Sequence, residues 1–196
     1  MKLKLYLFFM FLSICAAGEA FAAKGLVVKL DVTDFAQDFI NKNIRVRAGM
    51  GEKSARHHVT VGYIAENLPD GQMKRLGEEI TTQLEKIFSI SNPNNHIRFD
   101  VKEAAQPFGN GIALIPVNEV DLRTVNNEVN NIVKSFNHQL NNATQPHNYI
   151  PHMSFSLNQN DAQYLPSLNQ TIAWHKQQYN GELFFKLFKF SYTVMK

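Results

Sequence analysis

The chain has 196 residues, of which 44% are hydrophobic and 19% are charged, a composition typical of a folded protein and not of a disordered one. Its formal net charge of +3 permits an anionic ligand but does not favour a protein that wraps a long nucleic acid. A single cysteine, Cys15, excludes a disulfide within the chain. The length suits one domain or two closely packed lobes.

The amino-terminal residues 1–22 are predicted to be a signal peptide. Two lysines precede an apolar run over residues 5–17, and residues 20–22 have the small-x-small pattern of a cleavage site. The run is shorter than the roughly 20 residues that a membrane-spanning helix needs, which favours export over a retained anchor. We therefore expect a periplasmic or secreted protein whose mature chain, residues 23–196, lacks cysteine and so lacks thiol catalysis and cysteine-built zinc sites.

The mature chain is predicted to alternate strands and helices. Strands are expected at residues 26–33, 56–64, 97–104, 111–117, 149–157 and 182–194, the last as a strand or hairpin. Helices are expected from 34 to about 40, and at 71–90, 120–140 and 161–174. Thr33 or Asp34 is expected to cap the first helix. Residues 108–111 are typical of a hairpin turn between the third and fourth strands.

This order of elements predicts an α+β fold. Hairpins and alternating strand faces favour antiparallel pairing over a purely parallel sheet. The chain shows no linker long enough to separate independent domains, so residues 23–196 are expected to form a single domain. A short pattern that occurs in two strands suggests two related lobes within it, divided near residue 118.

The repeated pattern is a histidine, any residue and then a hydroxyl residue, in RHHVTV at 56–61 and in PHMSF at 151–155. Because side chains alternate across a strand, His58 and Thr60 share one face, as do His152 and Ser154, while apolar residues occupy the other face. The same alternation turns His57 away from this face. We therefore expect His57 to lie at a strand-end surface or at the edge of the core, without a catalytic role.

The chemistry of these groups suits hydrolysis of a phosphate ester. Imidazole titrates near neutral pH, so one histidine can accept a proton while the other donates one. The hydroxyl groups can donate hydrogen bonds to phosphoryl oxygens, and neither a metal nor a cofactor is needed. Either pattern alone is common in ordinary strands, so the residues by themselves leave open a chance coincidence.

HHVTV and PHMSF together resemble the paired H-x-[S/T]-apolar motifs of the two-histidine (2H) phosphoesterase superfamily, which includes RNA-ligase-like and cyclic phosphodiesterase proteins. The motif separation and the duplicated order of elements extend the resemblance over most of the mature chain. It implies two pseudo-symmetric lobes, each a mainly antiparallel sheet with helices, that flank a central cleft. It also implies metal-independent hydrolysis of 2′,3′-cyclic phosphates or related nucleotide or RNA-end phosphodiesters.

By position, the resemblance implies that His58 and His152 are the acid/base pair and that Thr60 and Ser154 bind phosphate. Which histidine acts as the base stays open. Arg56 falls on the face of His58, so it is expected either to help bind phosphate or to be an ordinary solvated arginine. The expected partner is a small nucleotide or RNA-end phosphodiester, without a stable nucleic-acid complex, and without a membrane partner after signal cleavage.

Three alternatives remain at this point. The chain is a binding module for nucleotides or phosphate that has lost turnover, a hydrolase of a non-nucleotide phosphodiester, or a structural exported domain with chance motifs. Pure binding does not require two titrating histidines, which favours an enzyme. Members of the superfamily are mostly intracellular, whereas this chain begins with a predicted export signal, so the substrate is the least constrained part of the prediction.

Overall fold

A computed structural model describes residues 24–90 and 96–195 of the chain. Over these residues the protein is a mixed α/β fold with one antiparallel sheet of seven strands, in the order β3-β7-β1-β2-β6-β5-β4. The strands are β1 (Gly25–Val32), β2 (His58–Ile64), β3 (Ile97–Asp100), β4 (Gln106–Phe108), β5 (Gly111–Leu114), β6 (Met153–Ser156) and β7 (Phe184–Met195). The predicted signal peptide and the predicted loop at 91–95 lie outside the described residues.

Four α-helices accompany the sheet in the described residues. They are α1 (Asp34–Phe39), α2 (Asp70–Phe88), α3 (Glu119–Ser135) and α4 (Leu165–Gln178). Helix α1 continues as a π-helical segment, Ile40–Arg45, and short 3-10 segments occupy Asn142–Thr144 and Gln159–Tyr164. No helix within the described ranges is long and apolar enough to cross a membrane.

Helix α1 begins where the sequence predicts. The Thr33 side chain caps it by accepting a hydrogen bond of 3.2 Å from the backbone N–H of Ala36. The π-helical segment that follows carries Asn41 and Arg45, whose side chains are buried. These two polar residues therefore lie beneath the loop that leads into β2.

Helices α2 and α3 cover one face of the sheet. Apolar side chains of α3 such as Val125 and Val129 are fully buried, as are Leu30 of β1 and Val59 of β2. The approach is close, because a Cβ atom added at Gly62 of β2 would lie 2.6 Å from the Val129 side chain. Because the helices cover this face, polar residues of the central strands lie on the opposite face.

The register of the central strands gathers polar side chains on that other face. Lys29 of β1 lies opposite Thr60 of β2, and Asp31 lies opposite His58. Directly opposed residues of an antiparallel pair point to the same side of the sheet. The histidine of the first motif thus shares its face with charged residues from the neighbouring strand.

The predicted pairing of the third and fourth strands is confirmed only at their ends, where an antiparallel bridge joins Val101 to Pro116. A hairpin turn does occur at Gly109, which has a φ of +54°, but it joins β5 to the short strand β4. Strand β3 instead pairs with β7, where Phe99 lies opposite Phe185 and both are buried. Burial of Phe99 against a strand more than eighty residues away decides this pairing, and a local pattern does not contain that contact.

Several boundaries also differ from the prediction. Helix α3 ends at Ser135 because Asn137 adopts a left-handed backbone conformation, with a φ of +59°. The strand predicted at 149–157 is reduced to Met153–Ser156, and residues 182–194 contribute one long strand, β7, without a hairpin turn. The second motif therefore begins just before its strand, at His152.

Candidate active site

The two motifs meet at the centre of the sheet. Strands β2 and β6 pair with Val59 opposite Met153, and both of these side chains are fully buried. In an antiparallel register this pair sets His58 opposite Ser154 and Thr60 opposite His152. Diagonal neighbours of this kind have Cα atoms about 7–8 Å apart, so the structure brings both histidines to one face of the sheet.

The two imidazoles are held in the same way. His58 Nδ1 lies 3.0 Å from the carbonyl oxygen of Arg56, and His152 Nδ1 lies 2.9 Å from the carbonyl oxygen of Ile150. A carbonyl oxygen only accepts hydrogen bonds, so Nδ1 must carry a proton in both rings. Each histidine therefore exchanges protons through Nε2, and neither Nε2 has a hydrogen-bond partner in the described part of the chain.

The pKa is lowered for both imidazoles, but the groups that surround them differ. Partial burial is the main cause that lowers the pKa of both His58 and His152. Lys29 and Lys53 lower the pKa of His58 further, while Asp31 and the bonded carbonyl raise it. At neutral pH both rings are accordingly neutral in the free protein, and an anion bound between them would favour protonation of one.

The motif hydroxyls have no hydrogen-bond partner in the described part of the chain. Within residues 24–90 and 96–195, neither the Thr60 hydroxyl nor the Ser154 hydroxyl bonds to another protein group, whereas helical hydroxyls such as that of Thr124 donate to a backbone carbonyl. The backbone is fixed instead, since Tyr149, which is buried, donates through its Oη to the Thr60 carbonyl at 2.9 Å. Both hydroxyls are therefore able to bond to a ligand.

Arg56 is engaged at the junction of β1 and α1. Its Nη1 donates to the Val32 carbonyl at 2.9 Å, its Nη2 forms an ion pair with Asp34, and its guanidinium lies 5.9 Å from the centre of the Phe188 ring. None of these contacts involves a motif side chain. The link between Arg56 and the site is its backbone carbonyl, which orients His58.

His57 belongs to the core. Its side chain is fully buried, with its ring 5.1 Å from that of Phe155, and its Nδ1 lies 3.0 Å from the Gln37 side-chain oxygen. Burial, and to a smaller extent the nearby cations, lower the pKa of His57 to about 3. His57 is therefore a neutral core residue on the face opposite the motif pair, as strand alternation predicts.

Sequence reasoning missed two residues that contact the motifs. The Phe108 ring of β4 stacks on the His152 ring with centroids 3.9 Å apart. Lys53, in the loop before β2, donates to the Ser154 carbonyl at 3.3 Å. Neither residue belongs to a recognisable motif, and only the order of strands in the sheet brings them to the site.

Comparisons with known proteins do not assign the chain. No protein-family model matches it, and no curated protein matches it either. Within the two described ranges, no group of three or more His, Cys, Asp or Glu is arranged to hold a metal ion.

Proposed function

We propose that the protein is a metal-independent phosphodiesterase that acts on 2′,3′-cyclic phosphates or related nucleotide or RNA-end phosphodiesters. The observation that supports this most is the pairing of Val59 in β2 with Met153 in β6, because an antiparallel register extended from this pair sets each motif histidine opposite the hydroxyl residue of the other motif. A phosphate group centred there meets two imidazole Nε2 atoms and two hydroxyl donors. This is the set of groups that general acid/base hydrolysis requires.

In the proposed reaction a neutral imidazole, of His58 or of His152, removes a proton from water. The water oxygen forms a new bond to phosphorus, and the bond from phosphorus to the leaving ribose oxygen breaks. The second imidazole, protonated in the complex, gives its Nε2 proton to that ribose oxygen. Thr60 and Ser154 donate hydrogen bonds to the non-bridging oxygens, where negative charge increases in the transition state.

Two pseudo-symmetric lobes around a cleft are part of the proposal. Strand β2 joins strand β6 through one residue pair, Val59 with Met153, and an isolated bridge between Val101 and Pro116 links the residues that follow β3 and β5. Each side supplies one motif histidine with the same Nδ1 bond to the carbonyl two residues before it. This repetition supports two related halves. Strands β4 and β5 precede the predicted division at residue 118, but they lie in the sheet beside β6, which follows it. Each lobe would therefore contain strands from both halves of the sequence.

The experiment is an assay of the purified protein, in EDTA, against a panel of 2′,3′-cyclic nucleotides. Wild type is compared with His58→Ala and His152→Ala, and His147→Ala is the matched control because His147 is exposed and outside both motifs. We expect turnover by wild type and by the control, with loss in both motif variants. Turnover that persists in both motif variants rejects the mechanism, and binding without turnover supports the binding-module alternative.

Export to the periplasm or the medium is a separate part of the proposal and depends on residues 1–22. Amino-terminal sequencing of the protein recovered from these compartments tests it. We expect the mature chain to begin at Ala23. Recovery of the intact amino terminus in the cytoplasm would contradict export without affecting the proposed chemistry.

A further inference from the structure

Hydrogen bonds to neighbouring side chains hold the backbone of Lys53 in place. The buried Asn41 side chain donates to the Lys53 carbonyl at 3.0 Å and accepts from the Lys53 N–H at 3.2 Å. Gln37 Nε2 also lies 3.4 Å from the same carbonyl. The lysine therefore projects from a fixed point in the loop between the π-helical segment and β2.

The Lys53 ammonium lies against the second motif. Its Nζ donates to the carbonyl of Ser154 at 3.3 Å, and Nη1 of Arg45 donates to the next carbonyl of β6, that of Phe155. Lys53 also acts on the first motif, because its charge contributes to lowering the pKa of His58. Lys53 thus bonds to the backbone of the second motif and lies near enough to His57 and His58 for its charge to lower the pKa of both.

No carboxylate among the described residues forms an ion pair with Lys53 within 4.0 Å. Burial lowers its pKa, and the neighbouring Arg45 lowers it further. An ammonium has three donors, and among the described residues Lys53 uses one of them, to the Ser154 carbonyl. A partly buried ammonium beside a second cation is stabilised by an anion.

We propose that Lys53 binds a non-bridging oxygen of the substrate phosphate and is the charged donor of the site. This inference rests on the proposed function. Hydrogen bonds from a charged donor are roughly twice as strong as those from neutral hydroxyls, and they gain most when the phosphoryl group becomes more negative. Arg56, the cation next to the first motif in sequence, forms an ion pair with Asp34, whereas Lys53 has no ion-pair partner among the described residues.

The test replaces Lys53 with glutamine, which keeps a donor for the Ser154 carbonyl and removes the charge. Lys74→Gln is the matched control, since Lys74 is exposed on α2, 3.9 Å from Glu78. We expect the Kd for inorganic phosphate, measured by NMR titration, to rise at least about tenfold in Lys53→Gln and to stay unchanged in the control. We expect kcat/KM to fall about 10²-fold and Lys53→Arg to restore part of it.

A purely structural role for Lys53 gives a different result. If the lysine only holds the β6 backbone, Lys53→Gln changes Tm and leaves the phosphate Kd at its wild-type value, and that outcome overturns the inference. If Lys53→Gln does not fold, Lys53→Arg is measured in its place. Loss of phosphate binding in that folded, charged variant would overturn the inference.

The outcomes also separate this inference from the proposed function. Wild-type turnover of cyclic nucleotides with equal kcat/KM in Lys53→Gln rejects the role of Lys53 and leaves the phosphodiesterase intact. Phosphate binding that depends on Lys53, in a protein without turnover, supports the lysine as an anion ligand and rejects the enzyme.

Discussion

The two motif strands hold their histidines by identical hydrogen bonds in unlike surroundings. His58 Nδ1 and His152 Nδ1 each bond to the carbonyl two residues earlier, at 3.0 and 2.9 Å. Charged groups, Lys29, Asp31 and Lys53, act on His58. His152 instead lies beneath an aromatic ring.

One repeated pattern can supply two chemical roles when the groups around each copy differ. A base and an acid differ only in protonation state, so equal bonding prepares either histidine for either role. Unequal surroundings then decide which imidazole holds the proton when phosphate is bound. The shared Nδ1 bond explains why both histidines are usable, and the neighbours are what distinguish them.

Substitution of the two motif histidines should reduce activity more than any other single change. We expect His58→Ala and His152→Ala each to lower kcat about 10²- to 10⁴-fold on a cyclic nucleotide, because each removes one proton transfer. With a nitrophenyl phosphodiester, whose leaving group needs no proton, the variant that lacks the acid should recover and the variant that lacks the base should not. Equal recovery of both variants would contradict a division of roles.

The hydroxyl residues should give the next largest effects. Thr60→Val and Ser154→Ala are each expected to lower kcat/KM by about 10- to 10³-fold, since each removes a donor to the phosphoryl oxygens. Thr124→Val, at a helical hydroxyl that bonds to a backbone carbonyl, is the control and should leave steady-state kinetics unchanged. If Thr60→Val matches this control, Thr60 does not bind phosphate.

The pH dependence of activity reports the protonation states of the two motif histidines. Activity requires one neutral and one protonated imidazole, and burial lowers the pKa of both His58 and His152. The profile of kcat/KM against pH should therefore be bell-shaped, with its maximum below the ordinary histidine pKa of about 6.5. A maximum well above that value would show that the protein does not suppress protonation of the pair.

A smaller effect on turnover is expected on substitution of Phe108, whose ring stacks on the imidazole of His152. Phe108→Leu removes the stacked ring and exposes His152, so the pKa of His152 should rise toward its ordinary value while that of His58 stays unchanged. NMR titration of the two imidazoles measures both values. Turnover should change only a few-fold, and an equal shift at His58 would contradict the local role of Phe108.

The smallest effect on turnover is expected at His57, whose contribution is to stability. Its pKa is lowered to about 3 in the folded protein, so folding favours the neutral ring. This stability is fully present above about pH 6.5 and is lost as the pH falls toward 3, by at most about 1.4 kcal/mol per pH unit. Urea unfolding should show a shallower acid loss in His57→Gln, and an unchanged slope would contradict this assignment.

Local patterns predicted the parts of the fold that depend on local physics. The Thr33 cap, strand β1 and the outward face shared by His58 and Thr60 follow from capping and alternation, and the structure agrees with them. The boundary of α3 was missed because Asn137 in a left-handed conformation ends the helix inside an otherwise helical pattern.

Contacts between residues far apart in the sequence could not be predicted from local patterns. The partner of β3 depends on burial of Phe99, and the contact of Phe108 with His152 depends on β5 lying beside β6. Lys53 is separated from Ser154 by 101 positions and has no motif around it. In a single sequence, Phe108 cannot be distinguished from an ordinary aromatic residue in a turn, nor Lys53 from an ordinary lysine in a loop.

The claim that the motifs form one site is tested most directly by combining the two histidine substitutions. Turnover of a 2′,3′-cyclic nucleotide in EDTA is measured for His58→Ala, His152→Ala and the double variant. Groups that act as a unit are strongly non-additive, so we expect the double variant to lose little more than the single variant with the larger loss. Single variants that each keep about half of the activity, with complete loss only in the double variant, would show two independent sites and contradict the account.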